Sequence, residues 1–380
     1  MKCLRIGYVP LSDAAVLIAA ASRGFAEAEG FAIELVREVS WANIRDKLIL
    51  GQFDAAHMLA PFAIATTLGL GHLRVPLIAP FALNLNGNAI TISNLLQMQM
   101  ADELGRTPEG PLEGAKALAS VIRRRTAEQQ EPLAFGIVFP FSTHAYLLRH
   151  WLRLGAIDPE RDVNLVVVPP PYMAESLRTG LLHGFCVGSP WNSLAVDAKL
   201  GCIAAFGVDI AERAPEKILA VPKAVSERDP DLVSRLIRAL RAAARWCADG
   251  KNHADLARLL ASREHLGLPE HIIRDVLDGN LCVGAGGQRR AHAAFLLLGG
   301  DTTNRPDPRH AKWLYAEMVR AGQTPFSDEA YHAAAAVYTP QLYDEATRET
   351  ATMPPGDPVA LSMGPAFSEH DPRGYLAAFR

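Results

Sequence analysis

Two short segments each pair a helix-capping residue with a ring able to meet a ligand. In "VFPFSTHAYLLRHWL" a strand runs into Pro140, and Ser142, Thr143 and His144 open a helix. Ser142 or Thr143 caps the helix, because a hydroxyl oxygen accepts the first free amide hydrogens. His144, in the first turn, then points toward whatever those amides face. In "SWANIRD" the arrangement repeats, with Ser40 as cap and Trp41 just inside the helix. An indole there serves either as core or as an N–H donor and flat wall for a planar ligand. Helix N-termini aimed into a cleft suit a small anion, whereas catalysis requires further groups.

Those further groups do not assemble into a catalytic pattern. "GAGGQRR" at 284–290 begins like a dinucleotide loop, but Arg289 stands where the third glycine belongs, so the segment reads as a turn. There is no phosphate-loop GxxxxGK[ST] and no HExxH. "VGSPW" places Ser189 after Gly188 without the flanking glycines of a nucleophile elbow. Cys186 lies near His183 but within an apolar strand, where a thiol without an activating cation is inert. The five cysteines are odd in number, widely spaced and without a CxxC pair, which predicts buried, reduced thiols in a cytoplasmic protein. The histidines lack metal-ligand spacing, so neither a metal nor a cofactor is expected. On the residues alone, Lys217 in "APEKILAVP" reads as a surface lysine beside Glu216.

The elements that must position these residues alternate in type. The opening "MKCLRIGYVPLSDAAVLIAAASRGF" superficially resembles an export signal, yet Asp13 sits against its apolar run, and Leu4, Ile6 and Tyr8 alternate as in a half-buried strand. It reads as strand, loop and helix, with Ser12 and Asp13 as caps and Gly24 as the exit. Strand-like runs follow at 31–36 and 53–59 around the Ser40 helix, which Gly51 closes. A second set comprises 133–139, the helix from Ser142, 163–168, a helix entered through Pro170 and Pro171, and 184–188. Such alternation predicts βα units around mostly parallel sheets. Residues 105–132 read as a surface connection with one exposed helix. From about residue 229 onward helix follows helix, with Leu232, Leu236, Ile237 and Leu240 at core spacing.

With 380 residues the chain exceeds one usual core and predicts two lobes: lobe I from 1–90 and 205–380, lobe II from 91–204. The net charge of −3 excludes a strongly basic nucleic-acid binder. No apolar run approaches a membrane span.

Taken together and in order, "SWANIRDKLILGQFDAAHMLAP", "LNLNGNAITIS", "VFPFSTHAYLLRHWL", "VVVPPPYMAESLRTG", "CVGSPWN" and "APEKILAVP" resemble the nitrate- and bicarbonate-binding proteins of the nitrate-uptake family. The resemblance covers most of residues 4–345. It implies a type II periplasmic-binding-protein fold, α/β in class, that closes as a hinged clamp on its ligand. Members without an export signal are similar to NasS-like cytoplasmic nitrate and nitrite sensors, whose partner is a NasT-like RNA-binding antiterminator. By motif the resemblance implies ligand contacts from Trp41, Asn88, Thr143, His144 and Lys217, with Ser142, Ser189 and Trp191 near the cleft. Asn88 stands where glutamine is common, and Ser189 where glutamate is common. The implied role of Lys217 is to be the lone cation for a buried monoanion, which ranks nitrate above bicarbonate. Two other roles go with the fold: receptor of a nitrate ABC importer, or a cleft enzyme of desulfinase or thiamine-pyrimidine synthase type. The latter chemistries use a cleft cysteine or cysteine-rich loop, and residues 8–16 contain no cysteine.

Overall fold

The computed structural model describes residues 1–71 and 73–379. Its strands are β1 (Lys2–Tyr8), β2 (Phe31–Arg37), β3 (Ala55–Leu59), β4 (Leu77–Asn86), β5 (Asn88–Ser93), β6 (Leu133–Ile137), β7 (Val163–Val167), β8 (Gly184–Gly188), β9 (Gly201–Phe206), β10 (Pro215–Pro222), the hairpin β11 (Asn280–Cys282) and β12 (Arg289–Ala291), and β13 (Leu296–Leu297). One sheet has six strands in the order β13-β4-β10-β3-β1-β2, and the other five in the order β7-β6-β8-β5-β9. β1 runs parallel to β2 and β3, whereas β10 runs antiparallel to β3 and β4. In the second sheet β6 is parallel to β7 and β8, and β5 is antiparallel to β8 and β9. Each sheet is sandwiched by helices, as parallel strands buried on both faces require. β3, β4 and β8 are accordingly buried along their whole length.

The chain crosses between sheets at Gly87, which takes a φ of +94°. A Cβ there would lie 2.8 Å from Leu296 Cδ1, so the crossing has room for glycine alone. It returns after Phe206 and enters the first sheet as β10. The crossings expected after residues 90 and 204 fall inside β5 and β9, because Asn88 already pairs with Gly188 and Ala89 with Phe206.

Local chemistry explains most elements and corrects several. Ser40 and Ser142 cap their helices, accepting from Asn43 N at 3.2 Å and Ala145 N at 3.1 Å. Ser12 and Asp13 do not cap: a 3-10 turn, Ser12–Ala14, leads into the helix Ala15–Ser22 with no side-chain cap. Both residues are buried, and the opening stretch is part of the lobe I core. The helix Gly110–Ala127 is half-buried rather than exposed, because Ala115, Leu118 and Val121 form an inward face. Residues 284–288 form the turn of the β11–β12 hairpin, and Arg289 and Arg290 belong to β12. All five cysteines are free, but only Cys186, Cys202 and Cys247 are buried; Cys3 is exposed because its side of β1 faces solvent. No helix among the described residues is long and apolar enough to cross a membrane.

The helix Pro230–Ala248 buries Leu232, Leu236, Ile237 and Leu240 against lobe I. The later helix Pro308–Arg320 touches both lobes. It packs on the lobe I helix Ala60–Leu68 and meets the lobe II helix Thr143–Leu154 through Glu317 and His150, 3.0 Å apart.

Candidate functional site

A break in strand alternation creates the centre of the site. Successive side chains of a regular strand point to opposite faces, which would part Glu216 from Lys217. The pairing of β10 with β4 slips here: Pro215 faces Leu85 while Lys217 faces Asn84, leaving Glu216 as an extra residue. This is a β-bulge, a device that re-aims side chains beside functional sites. Asn84 secures it by accepting from Lys217 N at 3.1 Å. Both side chains reach the same buried place, where Lys217 Nζ lies 2.7 Å from Glu216 Oε1 and 2.9 Å from Asp13 Oδ2.

Lys217 is therefore neither a surface lysine nor a lone cation. It is fully buried, and one positive charge stands between two carboxylates. An unpaired ammonium would be costly at this depth, so the acids are what allow it to remain charged. Burial alone would lower the Lys217 pKa, but Asp13 and Glu216 outweigh it and raise the value. Burial would raise Asp13, yet Lys217 and His57 hold its carboxyl far below the usual carboxylate range. Glu216 goes the other way: burial raises it, Lys217 and Asn88 oppose, and Asp13 adds to the rise. Burial lowers the pKa of His144 and of His57, the nearby ammonium adds to the fall, and Asp13 opposes it at both.

Around this cluster lie polar atoms that are buried without a hydrogen-bond partner: Trp41 Nε1, both ring nitrogens of His144 and of His57, and the hydroxyls of Ser12 and Ser189. His57 Nε2 approaches Asp13 Oδ1 at 2.9 Å, but not along a hydrogen-bond line. Buried polar groups are paired in the great majority of cases, so such a concentration requires an explanation. Two partnerless acceptors, Asn88 Oδ1 and Asp13 Oδ1, lie among them; the other groups are hydroxyls, neutral imidazoles and an indole, all able to donate. They come from both lobes and converge on one spot. A Cβ on Gly188 of β8 would sit 3.4 Å from both Asp13 Oδ2 and His144 Nε2 and 3.2 Å from Leu11 Cδ2, so the glycine lets this strand lie close against both side chains. The Trp41 ring closes one side, with Lys217 Nζ 5.3 Å from its centre and the His57 ring 5.4 Å away.

Several sequence-derived residues also spend side-chain or backbone groups on the protein itself. Ser142 donates to Phe139 O at 2.6 Å while capping, which uses its only proton. Thr143 donates to Pro215 O at 2.6 Å across the lobes, so what it offers the cleft is its backbone amide. Trp191 donates from Nε1 to Pro10 O at 3.0 Å, and Ser12 N donates to Ser189 O at 2.8 Å. Asn88 Nδ2 donates to Glu216 Oε2. The structure thus gathers Trp41, Asn88, His144, Ser189 and Lys217 around one point and assigns Ser142, Thr143 and Trp191 to its frame.

Asp13, Glu216 and His57 complete the cluster and were not read from the sequence. Asp13 reads locally as a helix cap, although a carboxylate inside the apolar run "VPLSDAAVLIAAA" is itself a signal of a buried partner. His57 carries a similar signal in "FDAAHML". No local pattern announces the bulge that turns Glu216 inward. Among the described residues no group of three or more His, Cys, Asp or Glu is placed to hold a metal ion.

Comparison with known proteins agrees with this architecture. The chain is 31% identical over 382 residues to the nitrate import ATP-binding protein NrtC of Synechocystis, a match covering 99% of this chain and 55% of that protein. It is also 31% identical to the bicarbonate transport ATP-binding protein CmpC of Synechococcus elongatus, with 98% and 54% covered. The chain thus spans about half the length of these relatives. The crystal structure of the periplasmic nitrate-binding protein NrtA from Synechocystis superposes with a TM-score of 0.89 at 26% identity, covering 100% of this chain and 99% of that one. The fold is accordingly that of the periplasmic binding proteins, and the model of the NMT1-like family matches residues 1–261. With that match across both lobes, the chain belongs to the NMT1-like family.

Proposed function

We propose that the protein binds nitrate or nitrite between its lobes and works as a ligand-operated clamp. The observation carrying this reading is the set of buried, partnerless donors shared between the lobes: Trp41 Nε1, His144, His57, Ser12 and Ser189. An ion with several acceptor oxygens and no proton satisfies such donors, and a flat one fits beside the Trp41 ring. The similarity to NrtA supports nitrate, whereas equal identity to NrtC and CmpC does not separate nitrate from bicarbonate. The partnerless groups are mostly donors, which suits an ion without a proton, while Asp13 Oδ1 and Asn88 Oδ1 are the acceptors that a bicarbonate proton would use. Binding rather than catalysis is further supported at Cys186, whose thiol burial pushes well above its ordinary pKa and leaves inert.

Closure by the ligand gives a switch. An ion that favours the closed form by about 2.7 kcal/mol takes an even mixture of open and closed forms to about 99:1. We read the switch as that of a cytoplasmic sensor, which holds a NasT-like antiterminator in one form and frees it in the other. Co-purification of the two with and without nitrate tests this: release by nitrate is expected, and indifference to nitrate overturns it. The second reading, a receptor that delivers nitrate to an ABC importer, is favoured by the likeness to the import proteins NrtC and NrtA. Titration calorimetry with nitrate, nitrite and bicarbonate tests the ligand itself. Saturable binding of the first two is expected, and tight binding of bicarbonate alone would overturn the assignment.

A further inference from the structure

We propose that Glu216 selects the charge of the ligand by taking up one proton as the anion enters, and that this proton turns the Asn88 amide so that its NH2 group faces the anion. The inference rests on the reading of the cleft as a monoanion site. It begins with charge. Asp13 and Lys217 cancel, so an ionised Glu216 leaves the buried cluster at −1, and a monoanion would bring it to −2 in a water-poor space. Two like charges at such separation do not both ionise readily, and one proton resolves the conflict. Every group facing Glu216 points to the carboxylate as the place for that proton. Lys217 and Asp13 are held charged, and His144, whose Nδ1 is 3.4 Å from Glu216 Oε1, is held neutral. The Cys186 thiol on β8 and the Tyr338 hydroxyl, both buried and protonated, feel the Glu216 charge in the same sense as the anion would.

The hydrogen bonds then rearrange without moving the backbone. As it stands, Asn88 spends Nδ2 on Glu216 Oε2 and leaves Oδ1 without a partner among the donors of the cluster. A protonated Glu216 donates from Oε2 to the amide oxygen of a flipped Asn88, while its Oε1 goes on accepting from Lys217 at 2.7 Å. The flipped NH2 then faces the ligand where an acceptor stood. One proton thus removes a charge and converts a mismatched group. Burial, which raises Glu216, supports the same direction.

Binding of this kind is linked to pH. Between the pKa that Glu216 has in the free protein and the higher one it has in the complex, each added pH unit weakens binding by up to about tenfold; outside that window the affinity is flat. Calorimetric titration of potassium nitrate into the full chain at pH 8, in two buffers of different ionisation enthalpy, reads the proton directly. Uptake of about one proton per nitrate is expected, with Kd rising about tenfold between pH 7.5 and 8.5. In Glu216→Gln the pH slope is lost. Nitrate binding with equal heats in both buffers and a flat Kd would overturn the inference alone. No binding of nitrate or nitrite at any pH from 5.5 to 8.5 would overturn the anion reading and this inference with it. The wild-type titrations decide the matter even where Glu216→Gln fails to fold.

Discussion

Two histidines of one helix, Thr143–Leu154, sit in buried ionic clusters of opposite character. His150 lies 3.0 Å from Glu317 Oε2, Tyr375 donates to Glu317 Oε1 at 2.7 Å, and Trp313 Nε1 donates to the Tyr375 hydroxyl at 3.0 Å. Arg320 adds its guanidinium, 3.1 Å from Glu317 Oε2. There both Glu317 oxygens are used, and among the named groups only Arg320 Nε lacks a partner. His144, at the helix start, has no hydrogen bond at either nitrogen, and Trp41, Asn88, Ser12 and Ser189 around it each carry a partnerless atom. Both clusters join lobe II to the rest of the chain. One is complete in itself and acts as a rivet; the other is complete only when something enters. The difference shows that burial of charge alone does not mark a ligand site, whereas burial with unmet donors does.

The comparison is broken most severely by removing the central cation. Lys217→Met strands Asp13 and Glu216 as buried carboxylates with no ammonium between them, and is expected to cost about 3–5 kcal/mol of stability. Chemical denaturation measures that loss, and calorimetry should show nitrate binding lost with it. A near-normal unfolding midpoint would mean that the cluster is far better hydrated than its burial implies.

Breaking the rivet should cost stability without touching the ligand. Glu317→Gln is expected to destabilise by about 3 kcal/mol, while nitrate affinity stays within about twofold because the clusters share no partner. Burial alone would raise the Glu317 carboxyl, but His150 and Arg320 draw it from 4.5 to about 2. A depressed carboxyl pKa stabilises above its unfolded value. The Glu317 share is therefore present above about pH 4.5 and is lost as pH falls toward about 2. Denaturation midpoints of wild type across that window should drop more steeply than those of Glu317→Gln; parallel curves would contradict the assignment.

The cleft side of the comparison is sharpened by removing one donor at a time. Trp41→Phe keeps the ring wall and deletes the indole N–H, and is expected to weaken nitrate roughly tenfold, the worth of a hydrogen bond to a charged ligand. Its thermal stability should hold or rise slightly, since the deleted atom has no protein partner. Unchanged affinity would remove Trp41 from the site. The smallest effect is expected from Gly188→Ala, whose methyl would press on Leu11 Cδ2 at 3.2 Å and intrude between Asp13 and His144. A cost of about 1 kcal/mol in closure, or about fivefold in affinity, follows from modest overpacking. A calorimetric Kd equal to wild type would place the ligand elsewhere.

The sequence makes the frame far more legible than the centre. Ser40 and Ser142 cap as their chemistry dictates, the 184–188 run is a strand to the residue, and the Leu232 to Leu240 pattern buries the face it predicts. These are local rules, and local sequence states them. The cluster at the centre is non-local. Asp13 resembles a cap until Lys217 arrives from more than two hundred positions away, and Glu216 resembles a solvent-facing neighbour until a one-residue slip against β4 turns it inward. Motif resemblance points to Lys217 and His144, which lie in one buried cluster, but it carries no information about the carboxylates that neutralise the lysine. A lone-cation reading followed from that gap. The donors, not a free ammonium, are what the structure offers an anion.

A crystal structure grown with nitrate tests this most directly. The account predicts the ion between the lobes, within hydrogen-bond distance of Trp41 Nε1 and His144, with Lys217 still paired to Asp13. Nitrate bound outside this cleft, or Lys217 drawn away from both acids to serve as its only partner, would contradict it.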